Sequence, residues 1–184
     1  MTATATRPPT ADAPGRRSPW RYAALAVVLG FAAFWIWALF FASKDPVNGI
    51  EDPAWAERAQ AICEQAVTER ESLADYRRVD PDDPSMLAEK AEIVDRATDI
   101  VERMLDDVVA ETPTSAKGRA LVPLWEADYR TYLEDRREFA DQLRAGVNRA
   151  FAETVVDGIP ISDKVAQFAS DNRMPACAPP TDLG

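Results

Sequence analysis

Residues Tyr22 to Ser43, YAALAVVLGFAAFWIWALFFAS, run for 22 positions without a charged, Asn, Gln, Pro or His side chain. As a helix rising about 1.5 Å per residue, such a run extends roughly 33 Å, enough to cross a hydrocarbon core of about 30 Å. It predicts one transmembrane helix over residues 22–43. The chain then divides into a leading tail, a span and a trailing part large enough for one domain with its own core.

The flanks of the span differ in charge. Arg7, Arg16, Arg17 and Arg21 precede it against a single acid, Asp12, a net of +3 over residues 1–21. Lys44 follows it, and then Asp45, Glu51 and Asp52. The Lys/Arg excess before the span predicts a cytoplasmic N-terminus and an exported C-terminal part, with Trp20 and Tyr22 at interfacial positions. A cleaved signal peptide would have a shorter apolar core and a small-x-small site. The residues two before Ala42 and Ser43 are Phe40 and Phe41, which fit that site badly, so the span is expected to stay attached. Arg16-Arg17 reads as a topology determinant, not as a twin-arginine export signal. The small residues Ala23, Ala26, Gly30 and Ala33 share one helix face, the pattern that permits close helix approach in lipid and a homodimer through the span.

Four of the 21 basic residues and one of the 31 acidic residues precede the span, and none lies in it. The 17 basic and 30 acidic residues that remain give the trailing part a net charge of −13. Such a domain is repelled by nucleic acid and by anionic head groups, so it is expected to stand in water. Its two cysteines, Cys63 and Cys177, both fall on the predicted exported side, where an even count points to a disulfide.

Residues 1–21 have little to bury and are expected to form a disordered cytoplasmic tail. Residues 44–51, with Pro46 and Asn48-Gly49, read as a linker, and the exported domain is expected over residues 52–178. Asp52-Pro53 opens the first helix as N-cap and N1 proline, with Trp55, Ala59, Ile62, Ala66, Leu73 and Tyr76 as its stripe through about Arg78. After the break Asp80-Pro81-Asp82-Asp83-Pro84, a second helix carries Leu87, Ala91, Val94, Ala97, Val101, Leu105 and Val108. A third is expected over Ala120 to Ala145, anchored by Trp125, Tyr129, Tyr132, Phe139 and Leu143 and stopped by Gly146. Pro123 should fall in its first turn. Residues Phe151–Val156 and Ile159–Ile161 around Asp157-Gly158 are compatible with a small β-hairpin. A short helix capped by Ser162 or Asp163 follows, and residues 179–184 read as a disordered tail. The expected fold is mainly α: one transmembrane helix, then an antiparallel bundle of three long helices with a short C-terminal helix.

The absence of histidine removes Ser-His and Cys-His catalysis and every His-containing metal site, and two cysteines alone make a poor zinc site. Asp80, Asp82 and Asp83 fail the calcium-loop pattern, because Ser85 and Ala91 occupy the positions of its glycine and glutamate; capping is the better reading. The chain therefore reads as a non-enzyme without a cofactor. Its most suggestive surface is on the third helix, where Trp125, Asp128, Tyr132 and Asp135 share a face beside Arg136. Aromatics with carboxylates can hold a cationic or sugar-like ligand, or a partner. On the alternative reading, Trp125 and Tyr132 are core while Asp128 and Asp135 pair with Arg130, Arg136 or Arg137. The expected role is docking of an envelope protein by an anchored exported domain, with a small-ligand or sensory domain as the alternative.

Overall fold

The computed structural model describes residues 19–41, 46–73, 80 and 83–183. The chain falls into two compact units, residues 1–44 and 45–184. In the first unit, α1 spans Pro19–Phe40. Residues Tyr22–Phe40 make it long and apolar enough to cross a membrane. Its bulky side chains, among them Val28, Phe31, Trp35 and Phe40, are exposed. A Cβ built at Gly30, in the small-residue stripe, would meet nothing within 4 Å. The expected tail before Pro19 and the end of the span at Ala42 and Ser43 lie outside the described residues.

The second unit is a helical bundle: α2 (Pro53–Glu71), α3 (Pro84–Val109), α4 (Ala116–Arg144), a hairpin of β1 (Val155–Val156) and β2 (Ile159–Pro160), α5 (Ile161–Asp171) and a 3₁₀ turn at Pro175–Cys177. Ion pairs reveal the antiparallel arrangement of α3 and α4. Arg130 reaches Asp106, Arg137 reaches Asp99 and Glu102, and Arg144 reaches Asp95, so one helix climbs as the other descends. Between α2 and α3, Arg58 donates to the Val108 carbonyl and Arg103 pairs with Glu69, the same sense again. These exposed pairs contribute little energy individually; they mark the register that the apolar stripes impose.

The core lies where the stripes meet. Trp55, Ala59 and Cys63 of α2 pack with Val101, Leu105 and Val108 of α3, Trp125, Tyr129 and Tyr132 of α4, and Val165 and Phe168 of α5. A second cluster joins Leu87, Ala91 and Val94 to Phe139, Ala140 and Leu143 at the other end of the α3–α4 pair. Local chemistry sets most element ends. The Asp52 carboxylate accepts the Trp55 amide and the amide and hydroxyl of Thr114, so one side chain caps α2 and ties it to the start of α4. These bonds, the Thr114 hydroxyl foremost, hold the Asp52 carboxyl below its ordinary value. Asp83 caps α3 through the Ser85 and Met86 amides. Gly146, at φ 76°, ends α4 in a left-handed C′ position, with the Val147 amide returning to the Gln142 carbonyl. Asp157 (φ 55°) and Gly158 (φ 82°) make the tight turn that pairs Val155 with Pro160 and Val156 with Ile159.

Several expectations need correction. Among the described residues α2 ends at Glu71, with Leu73 in the turn beyond it; Tyr76 and Arg78 lie outside them. Helix α4 begins at Ala116, earlier than its periodicity suggests, and Pro123 lies inside it. The reason is a cap: the Ser115 hydroxyl accepts the Gly118 amide and itself donates to the Ile50 carbonyl, fixing the first turn before the proline is reached. Neither Ser162 nor Asp163 caps α5. The Glu153 carboxylate arrives from before the hairpin and takes both the Ser162 amide and hydroxyl. Residues 48–51 are not a free linker, since Ile50 is buried and its amide donates to the Asn172 side chain. The segment after residue 178 packs onto the domain: Pro179 and Pro180 are buried, and Asp182 and Leu183 contact the bundle.

Gly118 offers a local test of the α4 start. A Cβ there would lie 2.6 Å from the Pro113 Cβ and 2.7 Å from the Ser115 Oγ. Overpacking of this kind costs about 1–3 kcal/mol, whereas Ala gains only about 1 kcal/mol over Gly in a helix interior. Gly118→Ala is therefore expected to lower stability in urea unfolding despite its better helix propensity. A stabilised variant would contradict this start to α4.

Candidate functional site

The structure separates the five residues of the α4 face into two groups. Trp125, Tyr132 and Arg136 point into the core; Asp128 and Asp135 lie at its edge. Trp125 is covered by Phe168, stacked at 5.3 Å between ring centroids, and is met edge-on by Tyr129 at 5.5 Å. Its buried Nε1 finds no acceptor among the described residues. Asp128 lies 3.0 Å from the Lys164 ammonium of α5. Asp135 accepts the Thr154 amide at 2.7 Å and its hydroxyl at 2.9 Å, which fastens the approach to the hairpin onto α4. The reading of the aromatics as core is borne out. The arginines have other partners: Arg130 holds Glu126 and Asp106, and Arg137 holds Asp99 and Glu102.

Arg136 is the centre of the most unusual arrangement. Its side chain is 0% exposed, at a depth where a charge needs a partner. Its Nη1 donates to one Asp182 oxygen at 2.6 Å, its Nη2 to the other at 3.3 Å, and its Nε to the Thr98 hydroxyl at 3.0 Å. The Tyr132 hydroxyl accepts from Arg136 at 3.4 Å and donates to the Pro180 carbonyl at 2.6 Å. Arg70 of α2 adds a second cation 3.4 Å from Asp182. Burial alone would lower the Arg136 guanidinium; the bonds and charge of Asp182 outweigh it and hold Arg136 above its ordinary value. Burial likewise pushes Asp182 up, but Arg136 and then Arg70 bring its carboxyl below the usual range. Burial raises the Tyr132 phenol, so it remains a hydrogen-bond donor at neutral pH.

Cys63 and Cys177 are joined, with Cα atoms 5.1 Å apart, and both are fully buried. The bond ties the middle of α2 to the 3₁₀ turn, from which residues 178–183 run on to Arg136. Beside them lies an open groove of about 460 Å³, between Glu64, Thr68 and Arg70 of α2 and Ala176, Pro179 and Pro180. Among the described residues no three acidic or cysteine side chains converge as a metal site would require. Sequence spacing placed Arg136 on the right helix face, but it gave no sign of Asp182, Thr98 or Arg70 as its partners. A carboxylate two positions after Pro179-Pro180 was the one available signal. No family model, curated protein or solved structure matches the chain.

Proposed function

We propose that this chain is a single-pass membrane protein with its arginine-rich N-terminal segment in the cytoplasm, whose helical domain stands outside and docks another envelope protein. The observation that carries this reading is α1: an apolar helix whose bulky side chains are exposed, with a net charge of +3 over residues 1–21 at its N-terminal end and an acidic, disulfide-bonded domain after it. An exported domain with a buried disulfide is suited to work as a rigid surface near the membrane. The small-ligand alternative has less support, because Trp125 is covered by Phe168 in the core and Asp128 and Asp135 are held by Lys164 and Thr154.

Exposed apolar side chains on separate faces, Leu124 of α4 and Val155 of β1, give places to look for a partner, as does Thr68 on α2. Photo-crosslinking residues placed singly at these three positions in native membranes are expected to yield a discrete protein adduct from at least one of them. Lipid or solvent products alone from all three would contradict the docking reading.

A further inference from the structure

Residues 178–183 are held much as a bound peptide is held. Backbone ladders do not secure them; three kinds of anchor do. Pro179 and Pro180 are buried, and the Pro180 carbonyl accepts the Tyr132 hydroxyl. The Asp182 carboxylate is clamped by both terminal nitrogens of the buried Arg136, with Arg70 alongside. Leu183 packs against the Leu87–Phe139 cluster. Ala178 has an extended backbone, at φ −66° and ψ 150°, close to the polyproline conformation that proline-directed grooves select. The groove along α2 leaves one flank of this segment open to solvent. The disulfide at Cys177 fixes the start of the segment, so the residues beyond could lift without disturbing the 3₁₀ turn.

A guanidinium this deep discriminates strongly between an acid and a neutral side chain, because a neutral occupant leaves it buried and unpaired. We infer that the cleft formed by Tyr132, Arg136, Thr98 and Arg70 is a recognition site for a proline-led acidic peptide segment of a partner protein. Its pattern is two prolines, a carboxylate two residues after the second and an apolar side chain next, and residues 178–183 occupy the site in cis until such a segment displaces them. This deepens the docking reading and rests on it for the partner. Charge complementarity chooses the occupant: the anchoring cation Arg136 lies beneath the segment, Arg70 links it to the open groove, and the cis segment shows which ligand chemistry fits them.

The probe is the fluorescent peptide Ala-Pro-Pro-Thr-Asp-Leu-Gly, identical to residues 178–184, together with its analogue carrying asparagine for the aspartate. Both are titrated into the full chain in detergent micelles. The cis segment should mask the site in the wild-type chain. Asp182→Asn weakens that segment and leaves the cleft intact, so it is expected to bind the aspartate peptide roughly a hundredfold more tightly than the wild-type chain does, the scale of one broken buried ion pair. The asparagine peptide should bind that variant roughly a hundredfold more weakly than the aspartate peptide, and adding Arg136→Met should erase the difference between the two. Absence of saturable binding to the Asp182→Asn chain, or equal binding of the two peptides, overturns the inference. Should that variant not fold, Leu183→Ala loosens the segment while keeping the ion pair, and it is read by the same two criteria. The two levels fail separately. Discrete membrane adducts without peptide selectivity remove the groove and spare the docking reading; peptide selectivity without any adduct does the reverse.

Discussion

Replacing Cys63 and Cys177 together by alanine lowers the stability of the domain by about 4–5 kcal/mol, the largest loss expected for any pair of side chains here. The bond joins positions 114 residues apart, and in the chain-entropy model the cost of opening so long a loop approaches the upper end of the disulfide range. Packing adds to the loss, since both sulfurs are buried beside Ala59 and Met174. A domain of this size has about two or three times that stability in all, so the doubly substituted chain should still fold but unfold at a much lower urea concentration. Urea unfolding in detergent, followed by circular dichroism, measures the loss. A change below about 1 kcal/mol would mean that the bundle is held by its helices alone, outside the range this bond should command.

Asp182→Asn is expected to cost about 3 kcal/mol, because it strips the counter-ion from Arg136. The value is set at the low end for a broken buried pair, since Arg136 is 0% exposed but Asp182 is 28% exposed and water can follow if the segment lifts. Adding Arg136→Met to Asp182→Asn removes both charges, and this double variant is expected to recover most of the loss, because replacement of a whole buried ion pair by groups without charge is often nearly neutral. The two variants thus separate the worth of the pair from the cost of an orphaned cation.

The same pair sets an acid limit. Asp182 has a folded-state pKa below its unfolded value, so its contribution is fully present above the unfolded value near 3.8 and disappears as pH falls through the folded one. Asp52 shifts in the same direction and adds to the effect. Stability should therefore decline with falling pH below about 4, and Asp182→Asn should make that decline shallower. An unchanged slope would show that Asp182 is not the titrating group.

Features set by neighbouring residues were legible in advance. The long apolar helix, the Asp52 and Asp83 caps, the Gly146 stop and the Asp157-Gly158 turn each depend on side chains within a few positions, and each was readable from type and spacing. The disulfide was expected from an even cysteine count on the side predicted to be exported. What escaped was set by distant partners. Pro123 argued for a late start to α4, but Ser115 and Gly118, buttressed by Pro113, nucleate the helix before it. The α4 face was recognisable as aromatic and acidic, yet its meaning depended on Thr154, Lys164 and Asp182, which lie 19, 36 and 46 residues away from the groups they satisfy. Residues 179–184 were read as a disordered tail because prolines and a lone acid carry no periodic signal; among the described residues, 179–183 are held by the Tyr132 and Arg136 side chains and the cluster around Leu87.

The proposed topology puts the helical domain on the far side of the membrane from the arginine-rich segment. The exposed connection at residues 147–150 accepts an inserted recognition sequence for a site-specific protease without touching the core. With that protease added outside spheroplasts, cleavage is expected in the connection while an epitope placed before Arg7 stays protected. Protection of the connection, with cleavage only after the membrane is opened, would contradict that topology.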